Sequence, residues 1–301
     1  MFVYLAEKMM PLLVHRMKNT APWKENFYFP SPQAIGFSSD FPFMASSFCV
    51  ADDFFHTDFA RYCEFIGVDV HLYRKLWEWV FIVHQAHQAG VLGPGRRGLA
   101  FGVGQELLPA AFANVGCEIT ATDAPLAVGV ENGWMESRQF AAGLAGLPSG
   151  RMDRAAFESL VRWQECDMRA IDPTLTDYDF CWSSCCLEHL GDLQNGLDFI
   201  VESVEKTLKI GGVAFHTTEF NLSSNTGTVD HGATVLYRRC DFEALIVRLR
   251  NRGHQVDDLR LSRNAFVMNG YVDTPPYRPH LMLNFEGYAA TSIGLVVRRG
   301  R

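Results

Sequence analysis

No feature of the chain limits its fold more than the stretch from Gly98 to Asp123, GLAFGVGQELLPAAFANVGCEITATD. Leu99, Ala100 and Phe101 predict the end of a buried strand, because three apolar residues run into Gly102-Val103-Gly104 with no polar alternation. From Gln105 the pattern changes. Leu107, Leu108, Ala111, Phe112 and Val115 have the spacing of an amphipathic helix, which Gly116 can close as a left-handed cap. Pro109 falls in or near the first turn, where amide hydrogens lack intrahelical partners, so it does not break that helix. A second short strand, Cys117 to Thr122, then ends on Asp123. Strand, glycine turn, helix, strand and acid open a nucleotide-binding α/β unit, although a tight strand-to-helix turn in another α/β fold would use the same residues.

The chemistry of such a unit follows from its parts. Glycines let the backbone approach a ligand closely, and an acid at the tip of the second strand can accept both hydroxyls of a ribose. A dinucleotide site would want G-x-G-x-x-G, and Leu107 stands at its third glycine. The stretch instead resembles motif I of the class I S-adenosylmethionine (SAM) methyltransferases, an apolar strand followed by an acid, one residue and G-x-G-x-G. Ala100 stands where that family has Asp or Glu, and Glu106 where it has the third glycine. The resemblance implies SAM as cofactor, with Gly102, Val103 and Gly104 against it and Asp123, followed by Ala124, at its ribose.

Composition bounds the partners. The 301 residues are 48% apolar and 20% charged, enough for one large core or two small ones in a soluble globule. A net charge of -7, without any larger cluster of Lys and Arg, argues against a nucleic-acid partner. No uninterrupted apolar stretch is long enough for a transmembrane helix. Met1 to Val14 is apolar but carries Glu7, Lys8 and Pro11, with neither a basic leader nor a cleavage site, so it does not read as a signal peptide. Eight cysteines form no C-x-x-C pair and several lie in apolar runs, which fits a reducing cytoplasm.

Residues 20 to 60 are rich in Pro, Phe, Ser and Asp and predict irregular, aromatic-packed structure. Residues 1–70 are expected as an N-terminal extension, either a lid or oligomer contact over the later core or a surface appendage. His71 to Ala89 is a predicted helix, with Leu72, Leu76, Trp79, Val80 and Val83 on one face. His84 and His87, three apart on it, read as helix-face residues rather than a metal pair. Further helices are expected over Trp134–Leu147 and Met152–Leu160, then a strand over Val161–Cys166 leading to Asp167-Met168. In class I methyltransferases the loop after the third strand offers an acid and a backbone amide to the adenine, which Asp167 and Met168 match. A strand-end Asp capping its own turn is the alternative.

Tyr178-Asp179-Phe180-Cys181-Trp182-Ser183-Ser184 predicts the fourth strand. With Leu187-Glu188-His189 after it, the segment resembles the family's fourth strand and the loop that follows, placing Ser184 at the cofactor. A helix over Gly191–Leu208, the turn Lys209-Ile210-Gly211-Gly212 and a strand over Val213–Thr217 continue the pattern. Asp241–Arg252 predicts another helix, and His254–Leu261 and Thr291–Arg298 a sixth and seventh strand. The residues between, Ser262 to Ala290, are long for a hairpin and read as a substrate-side insertion or a homodimer contact. The expected architecture is α/β: a Rossmann-like, doubly wound, seven-stranded, mostly parallel sheet with helices on both faces, residues 71–301 forming the SAM-dependent methyltransferase domain.

Methyl transfer from a sulfonium is an in-line displacement, and a hydroxyl acceptor must also lose a proton. His189, His216 and Glu219, each expected near the carboxyl ends of strands, are the candidate bases. Cys185-x-x-Glu188-His189 resembles the E-x-x-E-H ligand segment of metal-dependent O-methyltransferases, with Cys185 replacing the first Glu. The loop Thr218-Glu219-Phe220-Asn221, with Asp230-His231 after it, is similar to a later part of the same sites. That resemblance implies a divalent ion on Glu188, His189 and His231, against a helix-start carboxylate and a packed histidine. The cysteine would disfavour Mg²⁺. The expected activity is O-methylation of a small molecule such as a sugar or secondary metabolite. An N-methyltransferase, a non-catalytic methyltransferase-like interaction subunit and an NAD-dependent oxidoreductase are the other readings.

Overall fold

The strand after Gly98 forms where the sequence places it because both of its faces are covered. Leu99 and Phe101 pack into one apolar cluster and Ala100 into another, and all three are buried. The computed structural model describes residues 31–131, 140–261, 267–274 and 280–301. In chain order the strands are β1 (Arg97–Phe101), β2 (Glu118–Asp123), β3 (Val161–Glu165), β4 (Tyr178–Ser184), β5 (Leu208–Asn221), β6 (Gln255–Val256), β7 (Val272–Asp273), β8 (Met282–Phe285) and β9 (Tyr288–Arg298). The main helices are α1 (Thr57–Ile66), α2 (Arg74–Gln88), α3 (Leu108–Ala113), α4 (Leu126–Glu131), α5 (Arg154–Leu160), α6 (Leu193–Glu202) and α7 (Arg239–Asn251).

The sheet order is β3-β2-β1-β4-β5-β9-β8-β7, with β6 also on β9. The first five strands are parallel and β9 is antiparallel to β5. This is the doubly wound, Rossmann-like arrangement with a reversed last strand, so crossover helices must cover both faces. On one face α1, α2, α3 and α5 bury Phe59, Trp77, Phe112 and Phe157 against Phe180, Trp182 and Phe215. On the other, α6 and α7 bury Phe199, Ile200, Phe242 and Leu245 against Leu99, Cys181, Ala214 and Leu295. The period-2 alternation of Phe180, Cys181 and Trp182 between these clusters fixes the register of β4. Helix starts are set by short polar side chains: Asp153 accepts from the amides of Ala155 and Ala156, and Asp192 from that of Asn195. Pro109 sits at the second residue of α3, as expected.

Among the described residues nine strands replace the seven expected. The stretch between Ser262 and Ala290 contributes β7 and β8, which extend the sheet beyond β9. The sixth strand, expected over His254–Leu261, pairs only at Gln255 and Val256. Further along, the same edge of β9 is taken by Ser47 and Cys49, whose backbones bond Gly294 and Ser292, and then by β8. The expected Lys209–Gly212 turn is absorbed into β5 as an irregularity: Gly211 has φ +83°, and the register with β4 shifts between Tyr178 and Phe180. Of the helix expected over Trp134–Leu147, residues 134–139 lie outside the described residues, and residues 140–147 form no α-helix but an irregular stretch with one 3₁₀ turn, Leu144–Gly146.

Part of the N-terminal segment is core. Phe54, Phe59, Tyr62, Cys63 and Ile66 join the cluster under α2, and the buried Asp53 carboxylate accepts from Trp77 Nε1 at 2.7 Å and the Met44 amide at 3.0 Å. Among the described residues no helix is long and apolar enough to cross a membrane. Phe112 is fully buried, edge-on to both Phe180 and Trp182 with centroids 5.5 and 5.1 Å away. Phe112→Ala should therefore lower the unfolding free energy by about 3–5 kcal/mol in a urea titration. A loss under ~1 kcal/mol would show that α3 does not anchor this face.

Candidate active site

Parallel β1, β2 and β4 end on the same side of the sheet, where open α/β folds bind ligands. After Phe101 the chain turns through Gly102 (φ +58°) and Gly104 (φ +50°), both in the left-handed region that a side chain penalises. A Cβ at Gly102 would stand 2.8 Å from Cys186 Cβ and Sγ and 3.6 Å from Met168 Sδ. Cys186 and Met168, from the loops after β4 and β3, therefore close on this turn. Val103 is buried, and its amide bonds the Thr122 carbonyl.

Asp123 lies at the tip of β2 beside that turn. Its Oδ2 accepts from the amides of Gly104 and Ala141, each at 3.0 Å, and its Oδ1 from that of Ala124 at 2.8 Å. Burial pushes its carboxyl up while the three amides pull it down. A ligand hydroxyl at Asp123 must compete with these amides. Met168 is buried against the turn, whereas Asp167 is partly exposed and paired with Arg169 on its own turn at 3.0 Å, which lowers its pKa. The Ser184 hydroxyl donates to Glu78 at 3.3 Å.

Beyond the ends of β4 and β5 lies a buried ionic cluster that the sequence reading did not assemble. Glu78, fully buried on α2, accepts from Ser184 on β4, Thr217 on β5 at 2.8 Å and Ser292 on β9. Arg74, one turn earlier, lies 3.5 Å from Glu78 and donates to Ser292 at 3.0 Å, to His280 and to Glu219. Lys75 Nζ is 3.7 Å from both Glu78 and Glu219. Cys185 is held at φ +52°, a left-handed conformation rare for a residue with a side chain, with its Sγ 3.6 Å from Glu219 Oε1. Glu188 Oε2 accepts from the Thr218 hydroxyl at 2.8 Å. The available signal was an i,i+4 pair, Arg74 and Glu78, flanked by Trp77, Phe81 and Ile82 on the side of the helix away from Leu72 and Leu76.

The three candidate bases fare differently. His216 is a core histidine: Nδ1 meets Ser183 at 2.7 Å, Nε2 meets Ser203 at 3.2 Å, and Phe199 packs edge-on to its ring. Burial lowers its pKa to about 3, and as the strand alternates it faces α6 rather than the cluster on α2. It is not a base for a bound acceptor. Burial would push Glu219 up, but Arg74 and Lys75 outweigh it and hold the carboxylate below its ordinary range. His189 binds the Ala233 carbonyl at 2.7 Å through Nδ1.

Nor does the expected ligand set come together. The His231 side chain is 86% exposed and rests on Asp230, while Glu188 is fully buried, so the two cannot share an ion in this arrangement. Spacing along a loop does not fix where its side chains end. On α2, His84 packs against Tyr62 and Phe43, and burial lowers its pKa to about 4.

Glu106, at the third glycine of the motif, is buried and accepts from Trp182 Nε1 at 2.6 Å. Burial raises its pKa from 4.5 to about 8, reinforced by Asp123 and Glu78 and opposed by the Trp182 bond. The fold thus holds it neutral at pH 7. Its contribution to stability is full below pH 4.5 and is lost as the pH rises through about 8. Glu106→Gln, which keeps the acceptor for Trp182, should flatten the fall in melting temperature between pH 5 and pH 8 and leave the slope due to Asp53, whose pKa is raised to about 7. An unchanged slope would mean that Glu106 is ionised.

No family model matches the chain, and no curated protein does. Among solved structures the fold is similar to that of a SAM-dependent methyltransferase from Clostridium acetobutylicum, at 13% identity over 80% of this chain and 97% of that one, TM-score 0.42. It is also similar to the glycopeptide N-methyltransferase MtfA complexed with sinefungin, at 16% identity over 73% and 92%, TM-score 0.42. A TehB-like SAM-dependent methyltransferase from Corynebacterium glutamicum is 13% identical over 80% and 94%, TM-score 0.39.

Proposed function

We propose that the chain is a SAM-dependent methyltransferase acting on a hydroxyl of a small molecule, of the class of sugars and secondary metabolites. The observation that carries this reading is the juxtaposition of Gly102 and Gly104, both left-handed, with Asp123 at the tip of the neighbouring strand. Met168 supports it by reaching the same turn. In this reading residues 71–301 are the catalytic domain, and Phe54, Phe59 and Tyr62 of the described part of the segment before them pack against its α2 face.

The carboxyl ends of β1 and β2 hold the adenosyl group, and those of β4 and β5 hold the acceptor. The acceptor oxygen attacks the methyl carbon in line with the sulfonium. The carbon–sulfur bond breaks as the carbon–oxygen bond forms, and S-adenosylhomocysteine leaves as a neutral thioether. Alignment supplies most of the acceleration for such a displacement. The hydroxyl proton passes to a carboxylate oxygen of Glu188 or Glu219, since His216 is walled into the core. Arg74 and Lys75 keep Glu219 ionised and fix its place.

A non-catalytic scaffold is the second reading, favoured by the packing of Cys186 onto Gly102 and by the three amides on Asp123. Isothermal titration with SAM separates the two. The enzyme reading expects saturable binding, weakened by about tenfold or more in Asp123→Asn, because a hydrogen bond to a charged acceptor is lost. No heat at millimolar cofactor would remove it.

A further inference from the structure

Cys185, Glu188 and Glu219 each bring one ligand atom to a common point: the sulfur and one carboxylate oxygen from each acid all lie within 4.8 Å of one another. Both acids are at least nine-tenths buried, and each keeps one oxygen without a hydrogen-bond partner, Glu188 Oε1 and Glu219 Oε2. A buried carboxylate oxygen left unpaired costs about 1–3 kcal/mol or more, so two beside one thiol call for a cation between them.

We propose that these three side chains bind a single divalent cation of borderline softness, Zn²⁺ rather than Mg²⁺. This set differs from the one the sequence suggested: both histidines drop out, and Cys185 and Glu219 enter. One thiolate and two carboxylates are ligands for such an ion at about 2.3 Å and about 2.0–2.2 Å respectively. Cys185 Sγ lies 3.6 Å from Glu219 Oε1, the oxygen that Arg74 holds, which leaves Oε2 of the same carboxylate for the ion.

The charges agree. Glu78 and Glu219 face Arg74 and Lys75, which leaves the charge of Glu188 unmatched, and loss of the Cys185 proton on binding adds a second. A divalent cation neutralises both. His280 lies behind Arg74, with Nε2 accepting from Arg74 Nε at 3.3 Å and Nδ1 3.5 Å from Asp273, so it adds no positive charge to the cluster. Burial raises the Cys185 thiol well above its ordinary range, so the cation must displace its proton to the buffer as the metal–sulfur bond forms. Three protein ligands leave the fourth tetrahedral position open, where an acceptor hydroxyl would be acidified.

The test is a titration of chelator-treated protein with Co²⁺ as the probe. Expected are one equivalent bound, a near-ultraviolet sulfur-to-cobalt charge-transfer band, and release of a proton, read as heat that depends on the buffer. Cys185→Ser should abolish the band, while Cys186→Ser and His231→Ala should retain it. Glu188→Gln should weaken binding by about tenfold or more, a second check if the serine variant does not fold. Absence of the band at one equivalent, its loss with Cys186 or His231 instead, or unchanged affinity in Glu188→Gln would each overturn the site. The outcome is independent of SAM binding, so failure of either reading leaves the other standing.

Discussion

Glu78 holds the functional end of the molecule together. A fully buried carboxylate in the middle of α2, it takes hydroxyl donors from β4, β5 and β9, so one side chain ties the helix to three strands at once. Arg74 carries the tie outward to Glu219 and His280. Charges this deep are tolerated only as a paired and hydrogen-bonded set, and removing one member strands the rest at a cost of about 3–5 kcal/mol. The set therefore fixes where Glu219 and Cys185 stand, and with them the polar floor at the ends of β4 and β5.

Beside that floor the glycine turn solves a separate problem. Two left-handed glycines either side of Val103 would leave the turn loose, and Asp123 ties it down by accepting the Gly104 amide. The same carboxylate takes the Ala141 amide and so draws the chain beyond α4 back over the turn. A ligand ribose must exchange its hydroxyls for those amides, which makes Asp123 both the latch of the empty turn and the proposed contact to the cofactor. Glu106, neutral under Trp182, lets the third position of the motif be filled by a large side chain without adding a buried charge.

Much of this was legible in the residues. The apolar run into Gly102, the Pro109 helix start and the strand through Phe180, Cys181 and Trp182 each follow from local pattern, while the doubly wound sheet was expected through the resemblance to class I methyltransferases. What escaped was set by distant partners. Arg74 and Glu78 look like solvent-facing charges on an amphipathic helix until Glu219 and Ser292 arrive from the far end of the chain. His216 looked like a base, but which face of β5 it lies on depends on register. His231 stood at a suggestive spacing, yet its loop leaves it exposed on Asp230. The sixth strand was overread because the edge of β9 is shared with Ser47 to Cys49 and β8, which local sequence does not reveal.

A crystal structure of the protein soaked with S-adenosylhomocysteine tests the central claim most directly. The ribose hydroxyls should lie on the Asp123 carboxylate, with the amides of Gly104 or Ala141 displaced from it and the thioether directed toward Cys185. Density for the ligand elsewhere, or a complex in which Asp123 keeps all three amides, would contradict the assignment of this crevice.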